Sequence, residues 1–218
     1  MKKLFLAYFA LSLLAFTPLR ATEYIFDKAH SHIGFSVAHI LGKVPGEFKD
    51  YDGGFSFDRA NPGKSKVKVT IQVKSISTGV DRRDAHLQSP DFFDAEKYPT
   101  LTFVSKKVTS AGDQKYSVVG DLTIHGTTKS VTLDVDYLGQ DNMMGTPIVA
   151  FSATTKIDRR DFGLIWGKDK ITAGGNLMLG NDVTIQLDIT GMDKAAAEKA
   201  QKMMKSAPQP KPTDTPTN

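Results

Sequence analysis

From Tyr24 to Thr190 this chain of 218 residues places apolar side chains at every second position rather than at helical spacing. Gly, Asn, Asp and Pro residues interrupt that rhythm at short intervals. The segments so separated number roughly eight or more, which predicts an all-β domain built as a sandwich or a barrel. Both architectures need a wet and a dry face on each strand, and the alternation supplies them.

In chain order, Lys2 and Lys3 precede an uncharged apolar run from Leu4 to Phe16 and then Thr17 to Ala21, the layout of a secretory signal peptide. The run is shorter than the roughly 20 residues a bilayer-spanning helix needs. Residues 1–21 are therefore read as a removable leader, cut after Ala21, with the periplasm as the expected location. The first strand signal is Ile33, Phe35 and Val37, followed by Phe55 and Phe57. Val67, Val69, Ile71 and Val73 alternate with Lys66, Lys68, Thr70 and Gln72. Leu101/Phe103, Tyr116/Val118/Leu122/Ile124, Val131/Leu133/Val135/Tyr137 and Val149/Phe151 continue the pattern, and Val183, Ile185, Leu187 and Ile189 close it. Turns are assigned to Asp52-Gly53-Gly54, Asn61-Pro62-Gly63, Ala111-Gly112-Asp113, Gly126, Gly139, Gly145 and Gly180-Asn181-Asp182. One polar connection, Asp81 to Pro99, breaks the strand rhythm, and connections of that length are usually functional or mobile. The barrel or sandwich thus occupies residues 22–191. In residues 192–218, Met192, Ala196, Ala200 and Met203 fall near helical spacing, and Ser206 to Asn218 is rich in Pro and Thr, so a short helix and a disordered tail are expected.

Stability must come from core burial alone, because the chain has no cysteine. Its formal charge of +4 overstates the folded part: Lys2, Lys3 and Arg20 carry three of the 28 basic charges, leaving 25 against 24 acidic. A net of +1 gives no argument for a nucleic-acid partner.

Residues 81–105, DRRDAHLQSPDFFDAEKYPTLTFVS, closely resemble the YceI-like family, and DKAHSHIGFSVAHI at 27–40, GDLTIHGTTKSVTL at 120–133 and IDRRDFGLIW at 157–166 match it in order. The resemblance implies an extended eight-stranded antiparallel lipocalin-like barrel with a short helical connection. It also implies a periplasmic or secreted binding protein, not an enzyme, that holds a polyisoprenoid or the tail of an isoprenoid quinone. No cofactor is expected; the bound lipid is the ligand. Transient membrane contact and a monomer or homodimer complete that expectation. Two positions depart from the family: Gly167-Lys168-Asp169-Lys170 replaces a turn that often contains asparagine, and Pro147-Ile148 stand where an arginine is frequent.

Strand parity assigns the candidate ligand-binding set. Phe35, Val37, His39, Phe48, Phe55, Phe57, Phe103 and Phe151 are expected to face an apolar cavity, and a buried His39 would then need a polar partner. On the connection, Phe92 and Phe93 form an apolar underside, one facing the cavity and the other packed behind it, while Arg82, Arg83, Asp84 and His86 fix the backbone. The family resemblance adds Asp161 and Phe162 near the pocket, with Leu164 and Trp166 following them. Two other readings compete. His30 and His32 share a face beside Asp27 and could present imidazoles to a metal, or serve a hydrolytic enzyme; alternatively His30 and Ser31 tie the incoming segment to backbone. An inward face that is simply filled core would suit a stress or adhesion module.

Overall fold

In the computed structural model, which describes residues 21–206, eleven strands form one antiparallel sheet. The leader upstream of Ala21 and the tail beyond Ser206 lie outside the described residues. The strands are β1 (Thr22–Phe26), β2 (His32–His39), β3 (Gly42–Phe48), β4 (Tyr51–Phe57), β5 (Lys66–Gln72), β6 (Ile76–Ser77), β7 (Thr100–Gly112), β8 (Lys115–Ile124), β9 (Thr127–Met143), β10 (Thr146–Asp158) and β11 (Asp182–Asp193). Eight of them, in the order β1-β4-β5-β7-β8-β9-β10-β11, close on themselves, because β11 pairs back to β1 through Tyr24↔Asp193, Ile25↔Met192 and Phe26↔Gly191. The sandwich alternative is thereby settled in favour of a barrel.

The other three strands lengthen the barrel at one end. β2 takes up the edge of β11 beyond β1, from Val183↔Val37 to Asp188↔His32, and β3 and β6 follow it. Ser31 stitches the break between β1 and β2: its hydroxyl accepts from the Thr190 N–H at 3.0 Å and donates to the Thr190 carbonyl at 3.2 Å. β5 pairs with β7 only as far as Gln72↔Thr100, and β6 pairs with β3. The sheet therefore parts between β6 and β7. The connection fills that gap, and its first half is α1 (Asp81–Gln88). Pro90 limits the helix, since the residue before a proline is pushed out of the helical region. α2 (Lys194–Ser206) begins with the Asp193 carboxylate accepting from the Ala196 N–H at 2.8 Å and lies against β1, β10 and β11, with Ala197 buried.

Two turn assignments are corrected. Asp52-Gly53-Gly54 lies inside β4, where a Cβ on Gly53 would stand 2.2 Å from the Lys68 carbonyl oxygen and one on Gly54 2.4 Å from that of Tyr24. These glycines bring neighbouring strands close instead of reversing the chain. Gly139 likewise sits within β9, beside Leu138, the extra residue of a β-bulge opposite Ala150 and Phe151 on β10.

Candidate functional site

A cavity of about 430 Å³ runs inside the barrel, within the range of small-molecule sites. Its walls follow strand parity. Val67, Val69 and Ile71 on β5, Leu122 and Ile124 on β8, Val131, Leu133 and Val135 on β9, and Val183, Ile185, Leu187 and Ile189 on β11 all face it. Ten of the residues assigned from sequence join them: Phe35 and Val37 on β2, Phe48 on β3, Phe55 and Phe57 on β4, Phe92 and Phe93 on the connection, Phe103 on β7, Phe151 on β10, and Leu164 after β10.

Room for the cavity comes partly from missing side chains. The Phe103 ring lies over Gly120, where a Cβ would be 2.5 Å from its Cζ, and Phe35 covers Gly46 and Phe55 covers Gly191 in the same way. The Phe103 and Phe35 rings lie over the adjacent strand, and Phe55 reaches past β1 to β11. At the far end the aromatics pack more fully. Phe57 meets Phe151 edge-on at 5.0 Å, Tyr116 edge-on at 5.5 Å and Tyr137 in a stack at 5.6 Å, so this end is a floor.

The opposite end is the mouth, bordered by the β2–β3 hairpin, α1 and the loop 163–180. His39 lines the cavity but is exposed at this rim, so the expected burial of a polar group does not arise. Trp166 is also a cavity wall. Its ring packs against Phe92 at 5.2 Å and edge-on to His86 at 5.2 Å, with the Lys170 ammonium 4.8 Å above it. Phe92 and Phe93 both border the cavity, where the sequence placed only one; Phe92 is 7% exposed and backs onto His86 and Trp166, and Phe93 meets Phe48 edge-on at 6.0 Å.

Asp161 and Phe162 do not line the cavity. They belong to a 3-10 turn, Arg159–Phe162, whose three-residue period puts Arg159 and Phe162 on one face and Arg160 and Asp161 on the other. Phe162, 1% exposed, is core, and Asp161 is exposed. Pro147 and Ile148 also lie far from the mouth, pairing with Asn142 and Asp141 at the opposite end of β10, so their departure from the family pattern leaves the mouth untouched.

Sequence reasoning missed the most elaborately held side chain. Arg159 is 3% exposed, and its guanidinium donates to the carbonyls of Gly180 (2.8 Å), Leu164 (2.5 Å) and Trp166 (2.9 Å) and to the Asn181 side chain (3.1 Å). Burial lowers its pKa, with Asp158 opposing, yet an arginine so held stays charged. It anchors both ends of the mouth loop. Only the position of Arg159 in a second Asp-Arg-Arg-Asp run marked it, and that signal has no period.

The expected structural role holds for Arg83, Asp84 and His86, whereas Arg82 makes no side-chain hydrogen bond or ion pair among the described residues. Thr78 donates through its N–H to Asp84 at 2.9 Å, Arg83 donates to the Thr78 hydroxyl at 2.7 Å and carbonyl at 2.8 Å, and His86 pairs with Asp91 at 3.0 Å. Asp84 and His86 therefore have different partners. His30 and His32 also diverge: His30 pairs with the buried Asp27 at 2.7 Å and His32 with Glu47 at 3.2 Å. Among the described residues no three His, Cys, Asp or Glu side chains gather as a metal site.

A closed antiparallel barrel around an apolar cavity with an aromatic floor defines a lipocalin-like fold. The chain belongs to the YceI-like family, whose domain model matches residues 24–191. It is 41% identical to Protein YceI of Escherichia coli O6:H1 over 148 residues, which is 66% of this chain and 77% of that one. Among solved structures, BcnA of Burkholderia cenocepacia superposes with a TM-score of 0.68 at 27% identity, covering 76% of this chain and 98% of its own. A polyisoprenoid binding domain from Saccharophagus degradans shares the fold with a TM-score of 0.59 at 14% identity, over 80% of this chain and 99% of its own.

Proposed function

We propose that this protein is a carrier or store for an isoprenoid or a similar long amphiphilic lipid, exported to the periplasm and not an enzyme. The observation that carries the reading is the continuous apolar cavity, walled by Val, Ile, Leu and Phe from the aromatic floor to Trp166. A prenyl tail has no hydrogen-bonding atoms, so shape and burial alone select it. The fold shared with the polyisoprenoid binding domain supports the same ligand class. Three charged or titratable groups of the mouth are occupied in holding the chain: Arg159 and Arg83 donate to backbone and to Thr78, and His86 pairs with Asp91.

Magnitudes favour a carrier over a freely equilibrating sensor. At about 0.8 kcal/mol per buried CH₂, a five-carbon unit contributes on the order of 3–4 kcal/mol. A few such units already give tight binding, and a long tail would approach the practical ceiling of roughly 18–21 kcal/mol. A ligand held that way hardly leaves into water. Release then requires an apolar acceptor.

Organic extraction and native mass spectrometry of the purified protein test the reading. A stoichiometric lipid of isoprenoid mass is expected, and its removal and return should change the fluorescence of Trp166, the single tryptophan. A protein that purifies empty and neither takes up a polyprenyl probe nor changes fluorescence with it would overturn the reading. Export is tested by the intact mass of the periplasmic species, expected to begin at Thr22.

A further inference from the structure

Among the described residues ten large apolar side chains are exposed, and six of them, Ile40, Leu41, Val80, Ile165, Ile171 and Leu177, lie on the three segments that border the mouth. Those segments are tied to one another. Gly180 donates to the Ala38 carbonyl at 2.7 Å and the His86 and Trp166 rings meet at 5.2 Å, while Ile171 bridges Leu177 within the loop. None of the six lines the cavity, so a ligand inside the barrel would not cover them.

The hairpin tip shows that this exposure runs against local preference. Ile40 has φ 54, the left-handed region that a β-branched residue rarely adopts and that hairpin tips normally give to Asn, Asp or Gly. Leu41 beside it is 86% exposed. A strained backbone that displays two large apolar side chains to solvent is a feature that folding alone would remove.

Cations stand among these side chains. Lys43, Arg82 and Lys170 have no ion-pair partner among the described residues, and Lys168 reaches only its neighbour Asp169 at 3.8 Å. Of the carboxylates on the α1 side, Asp84 is engaged by Thr78 and Asp91 by His86, and Asp81 is exposed beside Arg82. The far end of the barrel lacks this pattern: exposed Leu138 and Met144 share the β9–β10 hairpin with Asp141, and Asp136 is paired with Lys115.

We propose that the mouth rim docks on an anionic lipid bilayer, with the Ile40-Leu41 tip and the 163–180 loop among the headgroups and Lys43, Lys168 and Lys170 against their phosphates. Apolar side chains interleaved with unpaired cations are the chemistry of an interfacial anchor. A docked mouth opens the cavity toward acyl chains, so an apolar ligand crosses without entering water. That passage rests on the carrier reading above, whereas the docking itself does not.

The test is flotation of the chain from Thr22 onward, which contains the entire barrel, with vesicles of phosphatidylglycerol and phosphatidylethanolamine or of phosphatidylcholine alone. The protein is expected to float with the anionic vesicles and to be released as salt rises. Leu41→Glu with Ile171→Glu, and separately Lys43→Glu with Lys168→Glu, should lower partitioning roughly tenfold or more. Leu138→Glu with Met144→Glu should leave it unchanged. Lipid extracted from the same preparations is measured in parallel and should be unchanged in the rim variants, so vesicle binding and cavity occupancy fail independently. The proposal is overturned by a parent protein that does not float, by equal loss in the far-end variant, or by a dimer in sedimentation that Leu41→Glu dissolves, which would assign the patch to a second copy.

Discussion

Arg159 spends its guanidinium on three carbonyls and one side-chain amide, and a side chain that links residues on both sides of a loop controls that loop's order. Arg159→Ala should cost roughly 3 kcal/mol or more, because buried acceptors lose their donors. Arg159→Lys should recover only part, since an ammonium cannot reproduce the planar fork. Chemical denaturation gives the magnitude. Faster hydrogen exchange confined to residues 163–181 would place the damage at the mouth, and uniform loss of protection across the barrel would contradict it. Gly120 is a second such position. A methyl there must displace the Phe103 ring into the cavity or bend β8, so Gly120→Ala should destabilise by about 1–3 kcal/mol and lower lipid content per mole of protein. Unchanged lipid content in a folded Gly120→Ala protein would mean that the ring finds room elsewhere. Neither residue was legible as part of the site in advance. The donors of an arginine find distant carbonyls only after folding, and a glycine beneath a ring carries no hydrophobic signal of its own.

The connection from Asp81 to Pro99 is the element on which the sequence and structure meet most directly. Its loss of two-residue period was legible, because a helix and coil have no need of strand parity. That it covers the point where β6 leaves β7 was not, because strand pairing is not written in either strand alone. From sequence alone Phe92 and Phe93 form one apolar underside, and burial of Phe92 between His86 and Trp166 separates their roles. Phe92→Ala should cost about 3–5 kcal/mol, as large-to-small changes in packed sites do, and should shift Trp166 emission toward that of a solvated indole. Phe93, half-buried and leaning on Phe48, is the better test of a gate. Phe93→Ala should lose less stability than Phe92→Ala while speeding transfer of bound lipid to vesicles. If the two variants match in both stability and transfer rate, the connection is plain core and the ligand passes between other elements.

At the scale of the whole molecule, the alternating faces from Val67 to Ile189 made an all-β domain legible and most wall residues with it, whereas closure rested on resemblance until the pairing was seen. The reason is geometric. A ring differs from a sandwich here by the contact of β1 with β11, three residue pairs joining the first described strand to the last. Nothing in the alternation of either strand specifies the other, and with no cysteine in the chain no covalent link fixes them. Such long-range closure comes late in folding, because loop entropy opposes it until the rest is in place. β1 also pairs with β4 through Thr22↔Phe57 to Ile25↔Gly54, so its removal exposes two edges at once. Unpaired edges recruit other chains. Deleting residues 22–26 should therefore give a protein that retains strand signal by circular dichroism but elutes as oligomers, binds a hydrophobic dye, and loses its lipid as the Tyr24–Phe55 stack and the floor behind it come apart. A deletion variant that stays monomeric with its Tm and lipid content intact would show that the long strands β7 to β11 hold the cavity without closure.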